Sequence, residues 1–266
     1  MSRSTYISKN LTQKQIDFML MLDDYELDIF SLEDIKKQVW NKKIEVNELI
    51  ENLVQKRIFS RIERGKYCRT NFRDEKVIGC FLVPDGAISY WSALHQYGFT
   101  EQFPNSVFIQ TTKSKRDKIV FGVYYKFVKI NVSKQDGIII EGYGNHSYQI
   151  TSMEKTIADC FDLPQYSGGY AELIRAFNEA EVESNELIKA CEAIHNIAAT
   201  KRMGYLVELI GKKGLGDFTS FAEKQVNEKY NLFDPSGVEE GEFINKWKLR
   251  LNIPKEDIMG IINKQY

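Results

Sequence analysis

The chain opens on three short helical patterns. Thr12 precedes a run in which Ile16, Met19 and Leu20 fall on one face. Ser31 precedes a second, with Asp34 three residues on as a carboxylate form of the capping box and Leu32, Ile35 and Val39 apolar. The third carries Val46, Leu49, Ile50, Leu53 and Val54 at the i, i+3, i+4, i+7, i+8 spacing of an amphipathic helix. The period then changes. IFSRI (58–62) and KYCRT (66–70) flank Glu63-Arg64-Gly65, a hairpin turn in which Gly65 takes positive φ. Three helices followed by a hairpin predict a winged helix-turn-helix domain over residues 1–73, with the third helix entering the major groove.

Residues 74–266 predict a mixed α/β domain, so that the whole is α+β. A helix over ISYWSALHQYGF (88–99) turns Ile88, Trp91 and Leu94 inward. Strands follow at 106–112, 117–132, 137–144 and 147–151, and the second of these is apolar on both parities, as in one or two buried strands. In TSMEKTIADCFDLPQYSGGYAELIRAF (151–177), Thr151 and Glu154 read as a capping box, and Met153, Ile157, Ala158 and Phe161 as a buried stripe. Lys155 and Asp159 are four apart and read as a surface ion pair worth ~0.3 kcal/mol. Pro164 stops that helix, and Gly168-Gly169 turns the chain into the next, striped by Tyr170, Leu173, Ile174 and Phe177. Every residue of the segment has a structural reading, without chemistry. Towards the end, 218–230 reads as a helix, DPSG (234–237) as a turn, WKLRLNI (247–253) as a half-buried strand and 255–262 as a last helix.

Charge changes this picture at one place. The net charge is −1, but residues 36–73 hold eleven Lys/Arg against four Asp/Glu, a local +7 between flanks of −4 each. A basic segment on a compact domain is the footprint of nucleic-acid contact. Lys42 and Lys43 before the third helix, Lys56 and Arg57 after it, and Arg61, Arg64, Lys66 and Arg69 on the hairpin are the expected phosphate contacts, with Asn47 the expected base-edge reader. The glutamates Glu45, Glu48 and Glu51 on the third helix oppose phosphate, so the helix would grip the backbone at its two ends.

Candidate chemistry elsewhere is thin. DDYELD (23–28) lacks the glycine and distal glutamate of a calcium loop. Cys191 and His195 share a face, but no second pair completes a metal site, so both read as packing residues. GKKGLG (211–216) follows a helix and has no GK[ST], which suits helix termination better than a phosphate loop. Pro84-Asp85 followed by Glu141-Gly142-Tyr143 puts tyrosine where a nuclease would want lysine. No cofactor and no catalytic residues are expected, and the chain does not read as an enzyme. With no apolar run of membrane-spanning length, no signal-like N-terminus and four scattered cysteines, a cytoplasmic protein away from the membrane is expected.

Three stretches resemble the AbiEi-type antitoxins of abortive-infection E systems, a type IV toxin–antitoxin class. The first holds Ser92, Ala93, Leu94, Gly98, Thr100, Gln102 and Pro104. The second holds Thr151, Glu154, Lys155, Thr156, Asp159, Pro164, Gly168 and Gly169. The third is ATKRMGYLVELIG (199–211). With the N-terminal helices the resemblance covers roughly 1–215. It implies an autorepressor that binds inverted repeats in its own promoter and neutralises a nucleotidyltransferase-like toxin in phage defence, without requiring a stable complex with it. Two other readings remain open: a winged-helix regulator whose C-terminal domain senses a ligand through Phe121, Tyr124, Tyr125 and Phe127, and a nucleic-acid-processing enzyme.

Overall fold

Capping begins the fold where the sequence asks for it. Thr12 Oγ1 accepts from Gln15 N, and Gln15 Oε1 accepts from Thr12 N, opening α1 (Gln13–Asp24). Ser31 Oγ does the same for Asp34 N at the start of α2 (Leu32–Gln38). The structure, a computed structural model, describes residues 10–38, 45–100 and 102–263; Val39, Lys42 and Lys43 lie outside them. The third helix, α3 (Glu45–Gln55), buries Val46, Ile50 and Leu53. Strands β2 (Phe59–Glu63) and β3 (Lys66–Arg69) form the expected hairpin, with Gly65 at φ 78°. A further strand, β1 (Ile29–Ser31), pairs antiparallel with β3 to give the order β1-β3-β2. Three residues are too few to show an alternating pattern, so the sequence did not announce it.

The inward face of α1 differs from expectation. Phe18 and Leu22 are buried, whereas Ile16 and Leu20 are exposed. Phe18 sets the rotation, because its ring meets Phe30 and Phe59 edge-on, each at 6.3 Å between centroids.

The chain continues through α4 (Glu75–Phe81), a helix capped by Asp74 that the sequence reading missed, into β4 (Ala87–Ile88), α5 (Tyr90–Gln96), β5 (Val107–Thr111), β6 (Lys118–Val120), β7 (Val123–Lys129), β8 (Ile138–Glu141) and β9 (Tyr148–Thr151). These strands build a mixed sheet of order β6-β7-β5-β4-β9-β8. The 117–132 stretch is thus the hairpin β6–β7. Ile119 and Tyr124 pair on the open face of the hairpin and stay exposed, while Val120 and Tyr125 on the opposite face are buried. Helices α6 (Met153–Asp162), α7 (Tyr170–Glu179), α8 (Ser184–Ile194), α9 (Ile197–Ile210) and α10 (Gly216–Lys224) follow. A small sheet, β10 (Asn231–Leu232), β11 (Glu242–Ile244) and β12 (Leu249–Leu251) in the order β10-β12-β11, and α11 (Lys255–Asn263) finish the protein. Ile29, Ile62 and Cys68 of the first sheet share one apolar cluster with Val77, Ile78 and Leu82 of the second region and with Ile109 and Ile150 of the mixed sheet. The core therefore runs on across residue 73.

In the 151–177 segment two expectations need correction. Thr151 ends β9 with its hydroxyl 2.6 Å from Thr156 Oγ1. Ser152 is the cap of α6, accepting from Lys155 N, and Glu154 Oε1 accepts from Glu183 N instead of closing a capping box. Lys155 and Asp159 are not on a surface. Their side chains are 2% and 3% exposed, with Lys155 Nζ 3.0 Å from Asp159 Oδ1. The reason is packing from both sides: α5, α8 and α9 all lie against α6, which leaves it no outer face there. Pro164 opens a single 3-10 turn, and Gly168 and Gly169 sit at φ 83° and 119°. A Cβ at Gly168 would lie 2.5 Å from the Trp91 ring, so glycine is required there by both conformation and space.

Candidate nucleic-acid interface

Helix α3 is positioned by its apolar stripe, which packs on α1 and the first sheet through Val46, Ile50 and Leu53. Burying that stripe turns Asn47 and Glu48 to solvent. Glu51 sits at the helix edge facing the hairpin. It pairs with Arg61, and Tyr67 Oη donates to Glu51 Oε1 at 2.8 Å. The Tyr67 hydrogen bond holds the Glu51 carboxyl below the usual carboxylate range, with the Arg61 bond and charge acting in the same sense against burial. The acid expected to repel phosphate is thereby neutralised, at the expense of Arg61.

The other expected phosphate contacts divide into two sets. Three are committed within the protein. Lys56 Nζ donates to Asn10 O at 2.6 Å and to Gln15 Oε1 at 2.9 Å, tying the end of α3 to the start of α1. Arg69 pairs with Asp23 and with Asp28, so two acids of the DDYELD stretch are answered internally, Asp28 also meeting His146 Nε2 at 2.7 Å. Lys66 Nζ donates to Phe81 O and Leu82 O at 2.7 and 2.9 Å and lies 3.2 Å from Glu63 Oε1. It faces the second region, because the carbonyls that α4 leaves open at its C-terminal end draw the ammonium. Arg57 and Arg64 are exposed and make no ion pair among the described residues. Asn47, Arg57 and Arg64 therefore form the open set, from the outer face of α3 to the hairpin tip.

A further group was missed. TTKSKRDK (111–118) lies in a region of net negative charge, which hid its four cations, although Lys113, Lys115, Arg116 and Lys118 fall within six residues. Lys115 and Lys118 reach Glu63 Oε2 at 2.7 and 3.2 Å. That clamp sets the loop beside the hairpin, with Lys113 and Arg116 exposed. Burial pushes the Glu63 carboxyl up, but hydrogen bonds from Lys115, Lys118 and Lys66 outweigh it and hold the group at about 2.

Elsewhere, no group of three or more His, Cys, Asp or Glu among the described residues is placed to hold a metal ion. The four cysteines are free. Cys191 is buried as expected, but His195 is exposed and ends α8 in the left-handed region, so only one of that pair is a packing residue. Gly211 ends α9 at φ 65°, as helix termination requires. No helix among the described residues is long and apolar enough to cross a membrane.

The fold has a counterpart. The crystal structure of the RV2827C protein from Mycobacterium tuberculosis superposes with a TM-score of 0.63 over 96% of this chain and 97% of that one, at 12% identity. Similarity at that identity establishes a shared architecture along nearly the whole length. No protein-family description matches the chain, and no curated protein does.

Proposed function

We propose that this protein is a DNA-binding autorepressor and antitoxin of the AbiEi type. Its first seventy-three residues would act as a winged helix-turn-helix on inverted repeats in its own promoter. The remainder would oppose a nucleotidyltransferase-like toxin by shape, catalysing nothing. The observation that carries the DNA-binding half is the exposure of Asn47, Arg57 and Arg64. A helix whose inner face is anchored turns the Asn47 amide to solvent, with exposed guanidinium groups beyond its C-terminal end and at the hairpin tip. The order helix, strand, helix, helix, strand, strand, with the hairpin following α3, is the one such a domain uses. Lys113 and Arg116 add charge beside the hairpin tip. The antitoxin half rests on the ordered resemblance at 92–104, 151–169 and 199–211.

A mobility-shift titration on the upstream region of its own gene, repeated at rising salt, tests the DNA half. Binding should weaken with a log–log slope of about −0.9 per phosphate contacted. Absence of binding at low salt, or indifference to salt, would overturn it. For the antitoxin half, co-expression should restore growth to cells making the toxin encoded beside it, and unrelieved toxicity would refute that function.

A further inference from the structure

The cavity of about 370 Å³ between α9 and the small C-terminal sheet is lined by two guanidinium groups, Arg202 and Arg250, and by two aromatic rings, Tyr230 and Phe243. Its volume is within the range of small-ligand sites. The two arginines are held by the same strand. Arg202 Nε donates to Leu232 O at 3.0 Å, and Leu232 is in register with Arg250 across the parallel pair β10–β12.

What distinguishes these arginines is how little of their donor capacity is used. A guanidinium carries five N–H donors, and buried charges are normally paired and hydrogen-bonded. Arg202 is 6% exposed, uses Nε alone, and makes no ion pair among the described residues. Burial lowers its pKa, and the Tyr170 and Asp234 charges oppose that only in part. Asp234 Oδ1 is occupied with Ser236, accepting from its N at 2.9 Å and from its Oγ at 2.6 Å. Arg250 Nε is buried with no acceptor, and its guanidinium lies 5.4 Å from the Phe243 ring centroid. The preceding residue on α9 supplies the contrast. Lys201, equally buried, has three oxygen acceptors, Asn227 Oδ1, Lys229 O and Lys248 O. One of two adjacent buried cations is satisfied by the protein, and the other is left facing a cavity.

We propose that this cavity binds a small phosphomonoester, its phosphoryl oxygens taken by Arg202 and Arg250 and its organic part lying against Phe243 and Tyr230. The planar fork of arginine matches phosphoryl oxygens two at a time. Phe243, 61% exposed, stands at the mouth as an open apolar surface. Glu239 on the rim accepts from a ligand hydroxyl or amino group, and with exposed Glu240 next in the chain it repels a polyanion. A nucleic-acid backbone is therefore disfavoured where a single phosphate is not.

The test is calorimetric titration of the full chain with adenosine 5′-monophosphate and with inorganic phosphate, against chloride at matched ionic strength. Saturable binding of the nucleotide, with phosphate competing, is expected. Arg250→Gln should weaken it at least tenfold with an unchanged melting temperature in chloride. Arg202→Lys, which keeps the charge and loses the fork, should weaken it as well. No saturable binding up to about 10 mM overturns the proposal. So does equal binding by both variants, preference for citrate over both phosphates, or displacement of the nucleotide by a short DNA duplex.

Discussion

Asn at position 159 would keep the shape of the Asp159 side chain and remove its charge, leaving the Lys155 ammonium buried without its counter-ion. Burial pushes the Asp159 carboxyl up to about 6 against the pull of Lys155, so above that pH the two form an ion pair inside the helical layer. Because the raised pKa means that ionising Asp159 already costs stability, Asp159→Asn, which resembles the protonated acid, should cost less in urea denaturation at neutral pH than Lys155→Met, which strands a buried carboxylate and should cost about 3–5 kcal/mol. Replacing both, as Lys155→Met with Asp159→Leu, should cost clearly less than the sum of the single changes. The pair also shows what a sequence conveys at this scale. The i, i+4 spacing is legible in EKTIAD, but its burial is not, since that depends on α5, α8 and α9 closing over α6 from elsewhere in the chain. The same holds for the cations of the hairpin. Their number and spacing can be read directly, yet apart from Glu63 beside Lys66 the partners that occupy Arg61, Lys66 and Arg69 lie ten or more residues away in sequence. Asn47, Arg57 and Arg64 are the ones left exposed, with no ion pair to either arginine among the described residues.

Elements with several turns of consistent pattern were legible: α3, α6, α7 and the hairpin all sit where their apolar stripes and turn residues put them. Elements defined by tertiary pairing alone, such as β1 and β4, were not, being two or three residues long. Close approach between elements is equally hidden. In α9, a Cβ on Gly204 would meet the Trp247 ring at 2.4 Å and Ala222 Cβ at 3.0 Å. Trp247 cannot yield easily, since it is 1% exposed and its Nε1 donates to Glu208 Oε2 at 2.6 Å. Gly204→Ala should therefore lower stability by about 1–3 kcal/mol through overpacking, although alanine is by itself the better helix former by about 1 kcal/mol. A thermal melt decides it, and a raised midpoint would mean that the Trp247 ring yields to the added methyl. On the proposed DNA face, the element-level expectation concerns the hairpin. Arg64→Ala should flatten the salt slope by about 0.9 with little change in fold. Asn47→Ala should alter preference between sequences instead. Lys66→Ala should first loosen the hairpin from α4, which a urea midpoint would register.

For the molecule as a whole, the question is what fixes the N-terminal helices and hairpin on the rest. Part of the answer is apolar, the shared cluster around Ile62, Cys68 and Ile78. The other part is Glu63, a single carboxylate that gathers Lys66 from its own hairpin, Lys115 from the loop between β5 and β6, and Lys118 from the start of β6, at 3.2, 2.7 and 3.2 Å. Its pKa falls from 4.5 in the unfolded chain to about 2 in the folded protein, despite burial. Between those values the unfolded state binds the proton and the folded state does not, so protonation favours unfolding. The stabilisation is complete above about pH 4.5 and is lost as the pH falls towards 2. Glu63→Gln, which cannot ionise, should cost about 1–3 kcal/mol at neutral pH and almost nothing near pH 2. Asp159 titrates with the opposite sign, its raised pKa making stability fall as the pH rises from about 4 to 6, but it is common to both proteins and cancels in the difference. Stability measured in denaturant from pH 2 to 7 on wild type and variant isolates the Glu63 contribution. A gap that closes on acidification identifies the carboxylate as the clamp. A gap that stays constant would assign the docking to the apolar cluster alone, and the loop carrying Lys113 and Arg116 would then lose the contact that sets it beside the hairpin.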